Sequence, residues 1–404
     1  MILYRFYMRG EMSNFFALLM LKLKKLICFF ICTLTFFVSE YNCTAAESNL
    51  NVSAKSAILI CADSGSVLWS KNETQPLPMA STTKIMTALL TLERMQACGN
   101  KEVEITEEMV RVEGTSMGLM PGDIVNLDAL AKGMLLCSGN DSANAAAIAV
   151  GGDTGKFINL MSEKAKLIGM KDTKFCTPSG LDKDNHHSTA KDMALLGAYA
   201  MENEDFAKIA SQKSMKVKFV NPAKVVNIRN HNKLLRLYEG CIGVKTGFTK
   251  AAGRCLVSCA ERNGVRLVCV TLNAPSDWDD HTNLYNFGFE NTVSKSFDDR
   301  NFRASIPVEN KNSGNIEAVG VSEFSKSFKK GDENKVKRRV ELANSVKSPV
   351  EKGQIVGKVV YSLDDRIIGE NQIISNTEIK TPVKCKKNFF QNIGDFFKNL
   401  FGFK

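Results

Sequence analysis

The chain has 404 residues, with 53 Lys and Arg against 43 Asp and Glu, and a formal charge of +10. At 44% hydrophobic and 24% charged residues, the composition excludes a disordered chain, a collagen-like repeat and a polytopic membrane protein. The length points to two domains, and the basic excess to an anionic partner: nucleic acid, a lipid surface or an acidic polymer.

At the N-terminus, Lys22, Lys24 and Lys25 precede an apolar run from Leu26 to Val38, and Thr44-Ala45-Ala46 follow it. A basic region, a short apolar stretch and a small-residue site make a secretory signal peptide over residues 1–46. The run falls short of the roughly 20 residues a spanning helix needs, although an uncleaved anchor is the alternative. Because Met1 to Leu21 precede the basic cluster, Met12 and Met20 are alternative initiators. The expectation is an exported chain beginning near Glu47 and held at the outer face of the cytoplasmic membrane, which discounts nucleic acid as partner. Of twelve cysteines, Cys28, Cys32 and Cys43 would leave with the signal, so nine remain. Nine is odd, no CxxC occurs, and several sit in apolar runs such as Ile60-Cys61 and Val268-Cys269. Buried free thiols are expected rather than a disulfide scaffold.

Ala57 to Trp69 reads as strand, turn and strand around Asp63-Ser64-Gly65. From Ser81 the period becomes helical, with Ile85, Met86, Leu89, Leu90 and Leu92 on one side. Asn126 to Leu136 predicts a helix broken at Ser138-Gly139-Asn140, and further helices follow over Ser142–Val150, Thr154–Leu167 and Thr189–Met201. Strands are predicted at Met215–Val220, Gly243–Thr249, Gly253–Glu261 and Val265–Leu272, then a last helix over His281–Phe289. This order predicts, over residues 47–292, one antiparallel sheet with segregated helices. Residues 293–383 carry short strand-like runs (SIPV, EAVGV, KVVYSL, QIISN) between turns, which predicts a small all-β domain. In residues 384–404, Phe389, Phe390, Ile393, Phe396, Phe397, Leu400 and Phe401 recur at helical spacing among lysines. Such a segment predicts an amphipathic helix lying in the membrane interface; docking on the protein's own core is the alternative.

Three short motifs carry chemistry: Ser81-Thr82-Thr83-Lys84, Ser138-Gly139-Asn140 and Lys245-Thr246-Gly247. Each alone is weak, and their coincidence in this order is the signal. A serine hydroxyl needs an adjacent base to become a nucleophile, and Lys84 stands one helical turn from Ser81. Lys84 can serve only as the free amine, so its pKa must fall from ~10.4 through burial or a neighbouring cation, for which Lys245 is the candidate. Ser138 can pass a proton to a leaving amine, and Asn140 can hold a substrate amide. Lys245 suits a substrate carboxylate, while Thr246 is expected to point to the other face of its strand. Gly247 leaves room for a substrate backbone, and the N–H groups of Ser81 and Phe248 could form an oxyanion hole.

This set of motifs occurs in β-lactamases and penicillin-binding proteins. The chain resembles the serine-type D-alanyl-D-alanine carboxypeptidases, the low-molecular-mass penicillin-binding proteins, from about Ala54 to Lys404. Pro78-Met79-Ala80 before Ser81, Leu119-Met120-Pro121-Gly122-Asp123, Thr177-Pro178-Ser179-Gly180-Leu181-Asp182, His187-Ser188-Thr189-Ala190 and Asn230 to Leu235 are all similar to segments of that family. The resemblance implies an α/β (α+β) β-lactamase/transpeptidase-like domain, a small β domain and a terminal amphipathic helix. It implies release of the terminal D-Ala from peptidoglycan pentapeptide stems through acyl-Ser81, and covalent trapping by β-lactams. Ser81 would be nucleophile, Lys84 general base, Ser138 and Asn140 the second catalytic element, and Lys245, Thr246 and Gly247 substrate-binding. Neither a cofactor nor a metal is implied, and no H-E-x-x-H spacing links His186, His187, His231 and His281. Cys137 and Arg254 depart from the family pattern, and neither is expected to touch the chemistry. Glu93 and Asp141, near the motifs, read as capping or surface residues. The basic clusters Lys326–Lys330 and Lys335–Arg339 read as solvated strand edges or as contacts with anionic wall polymer. Three rivals remain: a D,D-endopeptidase, a β-lactamase, and a catalytically dead wall-binding protein. Against the second, no E-x-x-L-N string lies between Asp141 and Val244.

Overall fold

The computed structural model describes residues 50–309 and 314–380. The expected signal peptide (1–46) and terminal helix (384–404) lie outside the described residues.

Ser56–Cys61 (β1) and Val67–Lys71 (β2) form the expected hairpin. Cys241–Thr249 (β3), Gly253–Arg262 (β4) and Val265–Leu272 (β5) form the expected meander. β1 also pairs with β5, opposing Ser56 to Leu272, which gives a five-stranded antiparallel sheet of order β2-β1-β5-β4-β3. The longer helices are Lys84–Cys98 (α1), Leu127–Leu135 (α2), Asn140–Gly151 (α3), Thr154–Ile168 (α4), Ala190–Glu202 (α5) and Asp277–Glu290 (α6).

Both faces of the sheet are covered, and two glycines show how. A Cβ on Gly197 of α5 would lie 2.9 Å from Val257 Cγ1 and 3.3 Å from Val268 Cγ1. A Cβ on Gly288 of α6 would lie 2.7 Å from both Leu267 Cδ1 and Leu59 Cδ2. Leu267 and Val268 are consecutive on β5 and so face opposite ways; α5 and α6 therefore pack on opposite faces. This explains why β1 is buried along its whole length instead of alternating. On the α5 side the core continues through Ile85, Leu89, Leu130, Met134 and Ala143 of α1, α2 and α3.

The predicted strand at Met215–Val220 does not join this sheet. Ser214–Lys218 pairs with Val225–Arg229 as a separate two-stranded ribbon. Only Val217 and Ile228 of the two strands are fully buried, whereas Lys216, Lys218 and Arg229 face solvent. Such a charged face cannot enter a sheet sandwiched between helices.

Seven strands make the β-rich region: Thr292–Asp298 (β6), Arg303–Pro307 (β7), Asn315–Gly320 (β8), Glu323–Lys329 (β9), Lys337–Leu342 (β10), Ile355–Leu363 (β11) and Arg366–Ser375 (β12). β6 pairs with β9, and the others order as β7-β8-β12-β11-β10. They enclose their own core, which includes Phe297, Ile306, Phe328, Val359, Tyr361 and Ile373. Strands β6, β9 and β10 escaped the sequence reading because serines and charged residues break up their apolar runs. Both basic clusters lie on or beside β9 and β10. Asp299 is buried and accepts from the guanidinium of Arg338 (2.8 Å), the Tyr361 hydroxyl (2.8 Å) and the Asn371 amide (2.7 Å). Ser327 Oγ donates to Asp63 Oδ2 (3.0 Å) in the β1–β2 turn, tying this region to the main sheet.

All eight cysteines among the described residues are free thiols. Cys61, Cys255, Cys259 and Cys269 are buried, and burial pushes the Cys61 thiol up to about 12 and the Cys255 thiol up to about 11. They behave as small hydrophobes in the sheet.

Candidate active site

Regular α-helix begins at Lys84 rather than at Ser81. Ser81 lies on a 3-10 turn, Ala80–Thr83, that leads into α1. The two threonines of the motif make this turn: Thr82 Oγ1 donates to Met79 O (2.6 Å) and Thr83 Oγ1 to Ala80 O (2.8 Å). Ala80 sits at φ +48°, a left-handed conformation that costs a residue with a Cβ about 1–3 kcal/mol. Two glycines clamp the turn in place. A Cβ on Gly180 would fall 1.9 Å from Ala80 O, and one on Gly247 would fall 3.0 Å from Ser81 N. The absent side chain of Gly247 thus makes room for the backbone of Ser81.

Lys84 is fully buried, and its Nζ lies 2.9 Å from Ser81 Oγ, 2.6 Å from Asn140 Oδ1 and 2.6 Å from Ser179 O. As an ammonium it donates to all three. As a free amine it keeps two donors for the two carbonyl oxygens and turns its lone pair to the Ser81 hydroxyl. Burial, and then the charge of Lys245, hold the Lys84 pKa well below its usual range; Asp141 opposes them. This amine is therefore placed to take the Ser81 proton.

Ser138 and Asn140 lie where α2 gives way to α3. Ser138 is buried at φ +63°, and it lines a cleft of about 330 Å³ together with Ser81, Thr246, Gly247 and Phe248. No hydrogen bond joins it to Lys84 in this structure; Ser81, which bonds Lys84, lines the cleft with it. Asn140 is held at both ends of its amide, Oδ1 by Lys84 and Nδ2 by Glu113 O (2.6 Å), so here it orients the Lys84 amine.

Lys245 is buried beneath β3, and its Nζ donates to Thr246 O (2.8 Å). Burial lowers its pKa to about 7. Lys245 is not among the residues that line the cleft, whereas Thr246 is. This reverses the expectation that Thr246 points away from the site. Arg254 also departs from expectation, because it lines the cleft with Asp277 and Trp278. Its guanidinium bonds Asp277 Oδ1 through Nη2 (2.6 Å) and Nε (3.0 Å) and stands 5.4 Å from the Trp278 ring centre. β3 and β4 pair Phe248 with Arg254, which brings Arg254 to the end of the strand that holds the third motif.

Three supporting residues escaped the sequence reading of roles. The Ser179 carbonyl fixes Lys84, and Pro178 O accepts from Thr87 Oγ1 (2.6 Å), so the segment Thr177–Asp182 is a brace for α1. Asp141 is buried rather than at the surface. It accepts from Ser116 Oγ (2.6 Å) and from the N–H groups of Met117 (2.9 Å), Gly118 (3.1 Å) and Leu119 (3.0 Å). It thereby secures the loop whose Glu113 and Thr115 carbonyls tie Asn140. Glu93 does sit near the surface, paired with Lys164 (2.8 Å). His186 accepts the Cys176 N–H at Nδ1 (2.9 Å), which leaves its Nε2–H for Thr83 Oγ1 (2.9 Å). Burial keeps it neutral, with a pKa of about 4. Cys137 Sγ donates to Gly133 O (3.2 Å), and burial raises its pKa, so it is no thiolate.

A sequence profile for D-alanyl-D-alanine carboxypeptidase matches residues 42–276, and one for the penicillin-binding protein 5 C-terminal domain matches residues 294–386. The chain is 31% identical over 341 residues to D-alanyl-D-alanine carboxypeptidase DacF of Bacillus subtilis, covering 82% of this chain and 87% of that protein. It is also 31% identical over 376 residues to DacC of Escherichia coli, covering 87% of this chain and 90% of that one. Among solved structures, penicillin-binding protein 5 of Haemophilus influenzae superimposes with a TM-score of 0.62 at 28% identity, over 82% of this chain and 98% of that chain. With residues of all three motifs lining one cleft, the chain belongs to the D-alanyl-D-alanine carboxypeptidase family of low-molecular-mass penicillin-binding proteins.

Proposed function

We propose that Ser81 is the nucleophile of this serine-type D-alanyl-D-alanine carboxypeptidase, and that Lys84 is its base. The observation that carries the assignment is the buried Lys84 Nζ at 2.9 Å from Ser81 Oγ, with its other two contacts on carbonyl oxygens. The Ser81 oxygen attacks the carbonyl of the penultimate D-Ala of a peptidoglycan stem while Lys84 takes its proton. The N–H groups of Ser81 and Phe248 receive the developing oxyanion. Ser138 gives its proton to the departing amine and takes the one held by Lys84, which becomes a free amine again; D-alanine leaves, and an ester remains on Ser81. Water, activated by Lys84, then hydrolyses the ester and restores the free hydroxyl. A β-lactam acylates Ser81 by the same attack on its ring amide, but its leaving group stays tethered. Thr246, which lines the cleft, receives the terminal carboxylate, and the charge of the buried Lys245 behind it holds that carboxylate electrostatically.

The pattern of residues 1–46 supports export, and the Phe- and Lys-rich residues 384–404 support attachment at the outer face of the cytoplasmic membrane, beside the wall. Mass spectrometry of the purified protein with a pentapeptide and with penicillin tests the central reading. D-Ala release and a lasting adduct on Ser81 are expected, and both vanish in Ser81→Ala. Rapid penicillin turnover would instead identify a β-lactamase, and cleavage of crosslinked dimers without D-Ala release would identify an endopeptidase.

A further inference from the structure

A second concavity, of about 730 Å³, adjoins the catalytic cleft and shares His231 and Lys233 with it. Its other walls are Ser214, Arg229, Asn230 and Arg236. Arg229, Lys233 and Arg236 are exposed, and none of them forms a salt bridge to a described carboxylate. Arg236 Nη2 only meets the Lys213 carbonyl, at 3.3 Å. The outward face of the Ser214–Lys218 ribbon extends the same charge, since Lys216 and Lys218 stand beyond Ser214 on that face. Uncompensated cations this close together repel one another, and an anion relieves them.

The position of this trough relative to the reacting bond follows from the backbone. His231 N–H donates to Leu136 O, two residues before Ser138, and Asn232 Nδ2 donates to Gly243 O at the start of β3. Phe248, an oxyanion-hole donor, and Arg254 lie at the other end of the strand, about 16 Å from Gly243 at the rise of an extended chain. Ser138 delivers the proton to the departing amine, so the leaving group exits on the Ser138 side, towards the trough. That space exceeds what one departing alanine fills.

We propose that the trough is a leaving-side subsite for carboxylates carried beyond the scissile bond, so that the enzyme favours a leaving D-amino acid with an acidic side chain or an acidic peptide branch. The proposal rests on the carboxypeptidase reading above. Its test uses three substrates with one acyl half, diacetyl-L-lysyl-D-Ala, joined to D-Ala, D-Glu or D-Gln. D-Glu is expected to exceed its neutral isostere D-Gln about tenfold in kcat/KM, the worth of a charge-assisted hydrogen bond, and the excess shrinks as salt is raised. In Arg229→Gln/Arg236→Gln the ratio falls to near one, and in Arg229→Glu/Arg236→Glu it inverts, while D-Ala release stays at the wild-type rate in both. Normal D-Ala release with a D-Glu to D-Gln ratio of one, or a ratio that the variants leave unchanged, overturns the subsite and spares the carboxypeptidase. Loss of wall-polymer binding in the variants with the ratio intact overturns it too, assigning the trough to the polymer. Absence of D-Ala release by the wild type removes the parent reading and the subsite with it.

Discussion

Two buried lysines serve one cleft, and the charge of Lys245 weakens the hold of Lys84 on its proton. Lys84 must be neutral to act, and burial with the nearby Lys245 charge keeps its pKa well below the usual range. Lys245 must be charged to hold a carboxylate, yet burial lowers it to about 7. The signs follow: kcat/KM for D-Ala release rises with pH as Lys84 loses its proton, then falls above about 7 as free-enzyme Lys245 loses its own. In Lys245→Arg, whose guanidinium stays charged at every working pH, the alkaline limb is expected to move up by more than a unit. A pH–rate profile checks this, and a limb that stays near neutrality would assign it to another group. The residue types of this pair were legible in the sequence because S-x-x-K and K-T-G are local strings. Their mutual burial was not, since it depends on α1, β3 and the Thr177–Asp182 segment converging.

At the scale of elements, the nucleophile turn is held from outside itself. Thr82 and Thr83 close it, and Gly180 lets Ala80 O come within a distance that excludes any Cβ. Gly180 also stands at φ +83°, so Gly180→Ala adds backbone strain to a collision with main chain. The variant is expected to lose about 1–3 kcal/mol or more of stability and to react with penicillin at least tenfold more slowly. Urea unfolding and the rate of Ser81 labelling, read side by side, check both. Sequence periodicity located α1, α2, α4 and α5 well, although only α4 buries a single stripe (Phe157, Met161 and Ala165), while the first nine residues of α1 are all buried. It placed the start of α1 three residues early, since one 3-10 turn is too short for its period to be told from that of an α-helix. It also put Met215–Val220 with the meander, because alternation marks a strand without saying which sheet receives it.

At the scale of the molecule, two cores lie under one chain. The main sheet is sealed by helices on both faces, whereas the β-rich region is organised around Phe297, Tyr361 and the buried carboxylate of Asp299. Asp299→Ala leaves Arg338, Tyr361 and Asn371 without their acceptor and is expected to cost about 3–5 kcal/mol locally. Ser81 and its neighbours are remote from that change. Calorimetry should therefore show an early transition for the β-rich region, with penicillin labelling of Ser81 preserved at temperatures below it. A labelling rate that fell in step with the β-rich region's melting would show the two cores to be one cooperative unit.

The sequence by itself pointed to the family and nominated its candidate residues: which serine, which lysines, which small residues, and in what order, because these are properties of short strings. It also determined most helices and strands, because apolar period is local. Only the tertiary structure decided which groups touch. It turned Lys84 towards Asn140 and the Ser179 carbonyl, buried Lys245 below the cleft, and exposed Thr246 and Arg254 to it. It made Asp141 a buried anchor instead of a surface residue. Burial, proton affinity and the joining of the basic trough to the cleft all depend on segments a hundred residues apart arriving at one place, and no local pattern encodes that arrival.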